Sequence, residues 1–82
     1  MTRARVEAKV REVVQEVLGR PLRAGEELRR AEEPRWDSLA HVNLVFALES
    51  ELGIQFGAEE LDALDSLERL IAAAEAHLTA TA

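Results

Sequence analysis

Residues 36–54 read WDSLAHVNLVFALESELGI, and the fold can be inferred outward from them. Apolar residues recur in this stretch with helical spacing, at Leu39, Val42, Phe46 (with Val45) and Leu52. Asp37 is a good N-cap, and Gly53 is a natural residue to follow a helix C-terminus. We therefore predict a helix over residues 38–52, with Ser38 in its first turn on the solvent side.

A second helical pattern lies near the N-terminus. Its apolar residues are valines with helical spacing, at Val6, Val10, Val13 and Val17, and charged residues fill the other faces. The pattern predicts an amphipathic helix over residues 3–18, with Thr2 as its N-cap and a stop at Gly19 and Pro21.

The segment between these two helices lacks periodicity and predicts a long, ordered loop. Leu22, Leu28 and Trp36 are spaced apolar anchors that would hold it against the core. The paired charges within residues 26–30 suggest a short helical turn inside this loop.

Two further helical segments follow Gly53. Residues 58–64 allow two turns at most, with Leu61 and Leu64 facing inward. Residues 66–78 predict a last helix capped by Ser66, and we expect residues 79–82 to be frayed. The sequence thus predicts an all-α fold, a small four-helix bundle of three longer helices and one short helix with a long first loop, in a single domain over residues 1–82.

Charge is distributed unevenly along the 82 residues, which carry a formal net charge of −6. Residues 1–35 contain nine Lys or Arg and seven Asp or Glu, whereas residues 36–82 contain one and nine. This balance argues against nucleic-acid binding, and the acidic half would attract basic partners. No apolar run is long enough to span a bilayer, and no signal peptide is evident. We expect a cytoplasmic monomer that is not bound to a membrane.

Catalytic and metal-binding residue sets are nearly absent from the sequence. There is no cysteine, and the two histidines, His41 and His77, are expected on helix surfaces. Asp37, Ser38 and His41 supply the residue types of a hydrolytic triad. However, His41 follows Ser38 by one turn of the same helix, and a domain this small would not shield such a site. We therefore predict that the chain is not an enzyme and binds no metal itself.

Ser38 remains a candidate for a different kind of site. A hydroxyl at a helix start faces unpaired N–H groups and the positive end of the helix dipole. The dipole would favour a phosphate diester there by about 0.3–1 kcal/mol. Taken alone, the same position fits an ordinary capping role, so both interpretations stay open at this point.

Residues 36–54 resemble the core of acyl carrier proteins. In that family an Asp-Ser-Leu motif, here Asp37-Ser38-Leu39, precedes a helix. The helix ends in an acidic Leu-Glu-x-Glu-[Phe/Leu]-Gly-Ile segment, here Leu48–Ile54. The resemblance extends over almost the whole chain, since the family is also an acidic four-helix bundle of similar length with a long first loop.

This resemblance implies a carrier function. Ser38 would receive 4′-phosphopantetheine from coenzyme A, transferred by a Mg²⁺-dependent phosphopantetheinyl transferase, and Asp37 would assist the attachment. The thiol of this arm would hold acyl groups as thioesters. Other partners would be acyl-loading and acyl-processing enzymes of ligase, acyltransferase or ketosynthase type.

The resemblance also implies a partner surface along and after the helix that follows Ser38. We assign to this surface Trp36, Leu39, Val42, Glu49, Glu51, Glu59 and Glu60. Periodicity alone leaves open whether Leu39 and Val42 face a partner or line the bundle interior.

The sequence departs from the housekeeping fatty-acid carriers at two positions. Many of these carriers have acidic residues where Ala40 and Asn43 stand here. We therefore interpret the chain as a free-standing carrier of a specialised polyketide, fatty-acid or natural-product pathway. Two alternatives remain. One is an aminoacyl or peptidyl carrier of the same fold, although the Gly-Gly-[Asp/His]-Ser motif of peptidyl carriers is missing; the other is an unmodified helical interaction module.

Overall fold

The computed structural model describes the backbone of residues 2–81 and the side chains of residues 2–79. The α-helices are α1 (Arg3–Leu18), α2 (Ser38–Leu52) and α3 (Leu67–Thr81), and two short 3₁₀ helices span Arg30–Glu32 and Ala58–Ala63. Within the described residues there is no β-strand. The predicted all-α fold, a small helical bundle with a long first loop, is confirmed.

The bundle is organised around α1, which packs against both α2 and α3. In the predicted valine stripe, Val6, Val10 and Val13 are at most 4% exposed, whereas Val17 is only partly buried. The predicted ends of α1 are confirmed: the Thr2 hydroxyl accepts a hydrogen bond from the Arg5 N–H at 3.3 Å. Gly19 follows the helix with a left-handed φ of 64°, a conformation that favours glycine.

The C-terminal third contains the two predicted helices but differs from expectation in two details. The 3₁₀ helix Ala58–Ala63 replaces the predicted short helix, and Leu64 is buried beside it as expected. Ser66 caps α3 because its hydroxyl accepts the Arg69 N–H at 3.1 Å. The predicted end of α3 at residue 78 is wrong, since the helix continues to Thr81, and Ala82 lies outside the described residues. None of the described helices combines the length and the apolar composition needed to cross a membrane.

Side chains of the loop and of α1 hold the long first loop in place. The Arg20 guanidinium pairs with Glu26 at 2.7 Å and with Glu33 at 3.2 Å. The Arg11 guanidinium donates to the Glu26 carbonyl at 2.7 Å. The helical turn expected within residues 26–30 lies slightly later, in the 3₁₀ helix Arg30–Glu32.

Backbone hydrogen bonds join the loop to the start of α3. The Leu67 N–H donates to the Leu28 carbonyl at 2.8 Å, and the Arg30 N–H donates to the Asp65 carbonyl at 2.9 Å. An isolated antiparallel bridge pairs Arg29 with Ser66. This seam fixes the backbone of residues 28–30 against α3. Leu28 and Trp36, two of the predicted anchors, are buried in the core.

The stability that the Arg20–Glu26 ion pair contributes should depend on pH, and replacing Glu26 with glutamine should remove this contribution. The Arg20 guanidinium, followed by the Arg23 backbone N–H, lowers the pKa of Glu26 from its ordinary value of 4.5. A lowered pKa in the folded state stabilises the fold above the ordinary value, and this stabilisation is lost as pH falls through the lowered value. In urea denaturation, we expect the parent chain to be more stable than Glu26→Gln at pH 7 and equally stable in strong acid.

Glu16→Gln provides the matched control for this measurement. Glu16 is exposed on α1 and forms no side-chain hydrogen bond or ion pair within the described residues. Its substitution should leave the pH dependence of stability unchanged. A Glu26→Gln difference that stayed constant from pH 7 to strong acid would contradict the assigned role of the Arg20 ion pair.

Candidate functional site

Ser38 is the first residue of α2, and its side chain is exposed. Asp37 holds the helix start in place, because its Oδ1 accepts the Ala40 N–H at 2.9 Å. The Asp37 backbone is extended, so the chain turns into the helix between Asp37 and Ser38. The Ser38 hydroxyl therefore lies in solvent at the positive end of the α2 dipole.

A guanidinium group lies next to this hydroxyl. Arg30 Nη2 donates a hydrogen bond to Ser38 Oγ at 3.3 Å. Arg30 is partly buried and forms no ion pair within the described residues. Sequence reasoning missed this neighbour because the two residues are eight positions apart and only the folding of the loop brings them together.

Trp36 and His41 form a buried pair behind the site. The Trp36 indole Nε1–H donates to His41 Nδ1 at 3.0 Å, so the proton of the neutral imidazole is on Nε2. His41 Nε2 then donates to the Leu61 carbonyl at 2.8 Å. This chain of hydrogen bonds links the residues before α2 to α2 itself and to the 3₁₀ helix Ala58–Ala63.

This pair corrects two expectations. Trp36 is only 2% exposed, so its assignment to the partner surface is wrong. His41 is 7% exposed, so the expectation that it lies on a helix surface is also wrong. His77 is partly buried, with Nε2 2.9 Å from the Glu60 carboxylate and its ring in a T-shaped contact with Phe56.

The residue types of a hydrolytic triad are not assembled here. Both His41 ring nitrogens are bonded elsewhere, to Trp36 and Leu61, rather than to Ser38. Asp37 directs its carboxylate to the α2 backbone. Across the part of the chain that the structure describes, no cluster of three His, Asp or Glu side chains could hold a metal ion.

The outer face of α2 carries large apolar side chains beside Ser38. Leu39 is 71% exposed, Val42 is 46% exposed and Phe46 is 64% exposed. Periodicity left open whether Leu39 and Val42 face a partner or the bundle interior. Their exposure shows that they do not line the interior. The buried face of α2 consists instead of Ala40, His41, Leu44, Val45, Leu48 and Leu52.

The acidic residues assigned to the partner surface have different environments. Glu51 and Glu59 are exposed. Glu51 lies 3.7 Å from the Lys9 ammonium group. Glu49 is partly buried and accepts the Phe56 N–H at 2.8 Å, while Glu60 lies against His77. Glu51 and Glu59 are therefore the more accessible of the four.

Replacing Asp37 with alanine should weaken the start of α2. Loss of an N-cap acceptor typically costs about 0.5–2 kcal/mol. We expect Asp37→Ala to lower the free energy of unfolding by about 1 kcal/mol in urea denaturation. Asp37→Asn keeps the cap oxygen and should remain within a few tenths of the parent, so equal losses in both variants would contradict a capping role.

Comparison with known families identifies the class to which this site belongs. Residues 8–74 match the family described as a phosphopantetheine attachment site. This match covers most of the chain, and the chain therefore belongs to the phosphopantetheine-attachment family. No curated protein shows a significant match to the sequence.

The family identifies the cofactor and the general role of the chain. Its domains are sites of covalent 4′-phosphopantetheine attachment, as the sequence predicts. Such domains are generally non-catalytic carriers, and they interact with phosphopantetheinyl transferases and biosynthetic enzymes.

Proposed function

We propose that the chain is an acyl carrier protein and that Ser38 is the residue that carries its 4′-phosphopantetheine arm. The observation that carries this proposal is an exposed hydroxyl at the start of α2 with a guanidinium 3.3 Å away. The helix dipole and the Arg30 charge both favour a phosphate diester at this oxygen. Ser38 and Arg30 therefore fit the phosphodiester of the 4′-phosphopantetheine group that the family carries.

Asp37 would have two roles at this site. It caps α2 and so holds the neighbouring hydroxyl outside the helix. Its second oxygen, Oδ2, makes no hydrogen bond within the described residues. We propose that this carboxylate assists attachment through the metal ion that the transferase uses. Asp37→Asn separates the two roles, because it retains the cap oxygen and removes the charge.

The chain would act by presenting cargo. When bound, the arm supplies a thiol that holds acyl groups as thioesters. The protein contributes a rigid base for the arm, since α2 is capped at its start and its inner face is buried. The departures at Ala40 and Asn43 support a specialised polyketide, fatty-acid or natural-product pathway. The missing peptidyl-carrier motif favours acyl over aminoacyl cargo.

We propose that partner enzymes dock on the outer face of α2. Leu39, Val42 and Phe46 form an exposed apolar strip that begins directly after Ser38. Glu51 and Glu59 would add charge-steered association with basic enzyme surfaces, an effect that salt screens. Ligases, acyltransferases and ketosynthases are the partner classes expected for such a carrier, and we place the protein in the cytoplasm as a monomer in a single domain.

Intact-mass spectrometry tests the proposed attachment. The full chain is incubated with coenzyme A, Mg²⁺ and a broad-specificity phosphopantetheinyl transferase, in parallel with Ser38→Ala. We expect the parent to gain the mass of one phosphopantetheine and Ser38→Ala to gain none. Ser50→Ala, altered at an exposed serine on the same helix, is the matched control and should be modified as the parent is.

Two results would contradict the proposal. A parent chain that gained no mass would favour an unmodified interaction module. A Ser38→Ala variant that still gained the arm would place the attachment elsewhere. In the same assay, Asp37→Asn should be modified several-fold more slowly than the parent if the carboxylate assists attachment.

A further inference from the structure

A groove lies beside the candidate attachment site. It has a volume of about 960 Å³ and runs between the end of the first loop and the first turns of α3. Arg30 and Trp36 both line it, and Arg30 also contacts Ser38. The groove therefore adjoins a residue that contacts the hydroxyl, and none of the exposed apolar residues of α2 lines it.

Arginines from distant parts of the chain meet in this groove. Arg29 and Arg30 come from the loop, and Arg69 is the sole Lys or Arg in the acidic half of the sequence. Arg69 Nε lies 3.6 Å from Asp65, whereas neither Arg29 nor Arg30 forms an ion pair within the described residues. The groove thus contains two arginines that form no ion pair within the described residues, and one of them, Arg30, contacts Ser38.

Acidic side chains also line the groove, but one of them is already engaged. Glu27 Oε1 accepts the Leu28 N–H at 2.8 Å and the Glu68 N–H at 3.2 Å. Glu27 Oε1 thus caps the backbone of the loop and of α3, and Glu27 forms no ion pair with Arg30 within the described residues. The Arg30 guanidinium is left with Ser38 Oγ as its side-chain partner.

The position of Arg30 is fixed before any group is attached. Its N–H donates to the Asp65 carbonyl at 2.9 Å, and its neighbour Arg29 bridges to Ser66. The fixed backbone and the planar guanidinium reduce the freedom that Arg30 loses when it binds an anion. A phosphate ester on Ser38 Oγ would place its charged oxygens within reach of this guanidinium, whose geometry matches phosphate.

We propose that Arg30 binds the phosphodiester of the arm and that the groove receives the pantetheine portion. This inference rests on the proposed attachment at Ser38. Most of the residues that line the groove are polar or charged. Such a lining suits the amide and hydroxyl groups of pantetheine better than an alkyl chain. Arg30 is thus a positioning residue that directs the arm toward α3, away from the outer face of α2.

Nuclear magnetic resonance of the modified full chain tests this proposal. Attachment of the phosphopantetheine arm is driven to completion in the parent, Arg30→Gln and Arg5→Gln, and is verified by intact mass. On conversion of the parent, the Arg30 Nε–H signal and the backbone amides of Ser66 and Arg69 should shift. In modified Arg30→Gln, the ³¹P signal should move toward its position in the urea-unfolded modified chain.

Arg5→Gln is matched in charge and should leave the ³¹P signal where the parent has it. Arg5 is exposed on α1 and does not line the groove. Arg30→Lys keeps the charge without the planar fork and should give an intermediate ³¹P position. A ³¹P signal that is the same in the parent and in Arg30→Gln overturns the role of Arg30.

A groove-filling variant separates the two parts of the proposal. Ala72 is exposed and lines the groove, so Ala72→Trp should remove the conversion-induced shifts at Ser66 and Arg69. The dependence of the ³¹P signal on Arg30 should persist in this variant. Unchanged shifts at Ser66 and Arg69 would overturn the groove as the place of the arm.

Failure of this inference is distinguishable from failure of the carrier function. A parent chain that gains no mass overturns both. Gain of one arm on Ser38 without the predicted ³¹P and amide shifts overturns the roles of Arg30 and of the groove and leaves the carrier function standing.

Discussion

Replacing Trp36 with alanine is expected to destabilise the protein by about 3–5 kcal/mol, as is typical for a large buried aromatic side chain. Trp36 is 2% exposed and is the hydrogen-bond donor to His41 Nδ1. The variant would leave a cavity and an unpaired buried acceptor. A chain of this length has a total stability of about 4–12 kcal/mol, so a large part of it would be lost. Urea denaturation measures the change.

Trp36→Phe separates the two causes of that loss. Phenylalanine fills most of the indole volume but donates no hydrogen bond to His41. We expect a smaller loss, about 1–3 kcal/mol, which corresponds to one unsatisfied buried polar group. If Trp36→Phe were as stable as the parent, the hydrogen bond to His41 would contribute nothing, and the pair would be a packing contact alone.

Replacing Leu48 with alanine is expected to cost about 2–5 kcal/mol. Leu48 is completely buried on the inner face of α2. Alanine is a strong helix former, so the loss would come from the missing side-chain volume and not from weakened helix propensity. The shift in the urea denaturation midpoint gives the change, and an effect below about 1 kcal/mol would contradict the described core.

Phe46→Ala on the same helix is the control for Leu48→Ala. Phe46 is 64% exposed, and exposed substitutions usually change stability by less than about 0.5 kcal/mol. The same variant also tests the proposed docking strip, because it should slow acyl transfer from a partner enzyme without unfolding the carrier. A destabilisation as large as that of Leu48→Ala would show that Phe46 acts in the fold and not at a docking surface.

The helix boundaries could be predicted because their signals are local in the sequence. Thr2 and Asp37 cap α1 and α2 as expected, since a cap needs only an acceptor one turn before its donor. The predicted end of α3 was wrong because no Gly or Pro follows Leu78 to stop the helix.

The inner face of α2 could not be predicted from periodicity. Apolar residues occupy both faces of this helix, so a stripe through Leu39 and Phe46 looks as regular as the true core stripe through Leu44 and Leu48. The buried position of His41 had no sequence signal, because both of its partners, Trp36 and Leu61, lie outside α2.

The candidate site was predictable only in part. Asp37 and Ser38 were identified because their motif is contiguous and lies at a helix start. Arg30 was not, since its contact with Ser38 depends on the path of the loop and on its backbone bonds to Asp65. Long-range pairings of this kind leave no periodic trace in one sequence.

The connection between α2 and α3 accepts hydrogen bonds from two residues near Ser38. The Leu61 carbonyl accepts the His41 proton behind α2, and the Asp65 carbonyl accepts the Arg30 N–H beside it. Removing a single residue between Leu61 and Asp65 would bring these two acceptors out of register with each other. A chimera that takes this connection from another carrier should therefore also take that carrier's counterpart of residues 28–30, because the two segments are hydrogen-bonded to each other.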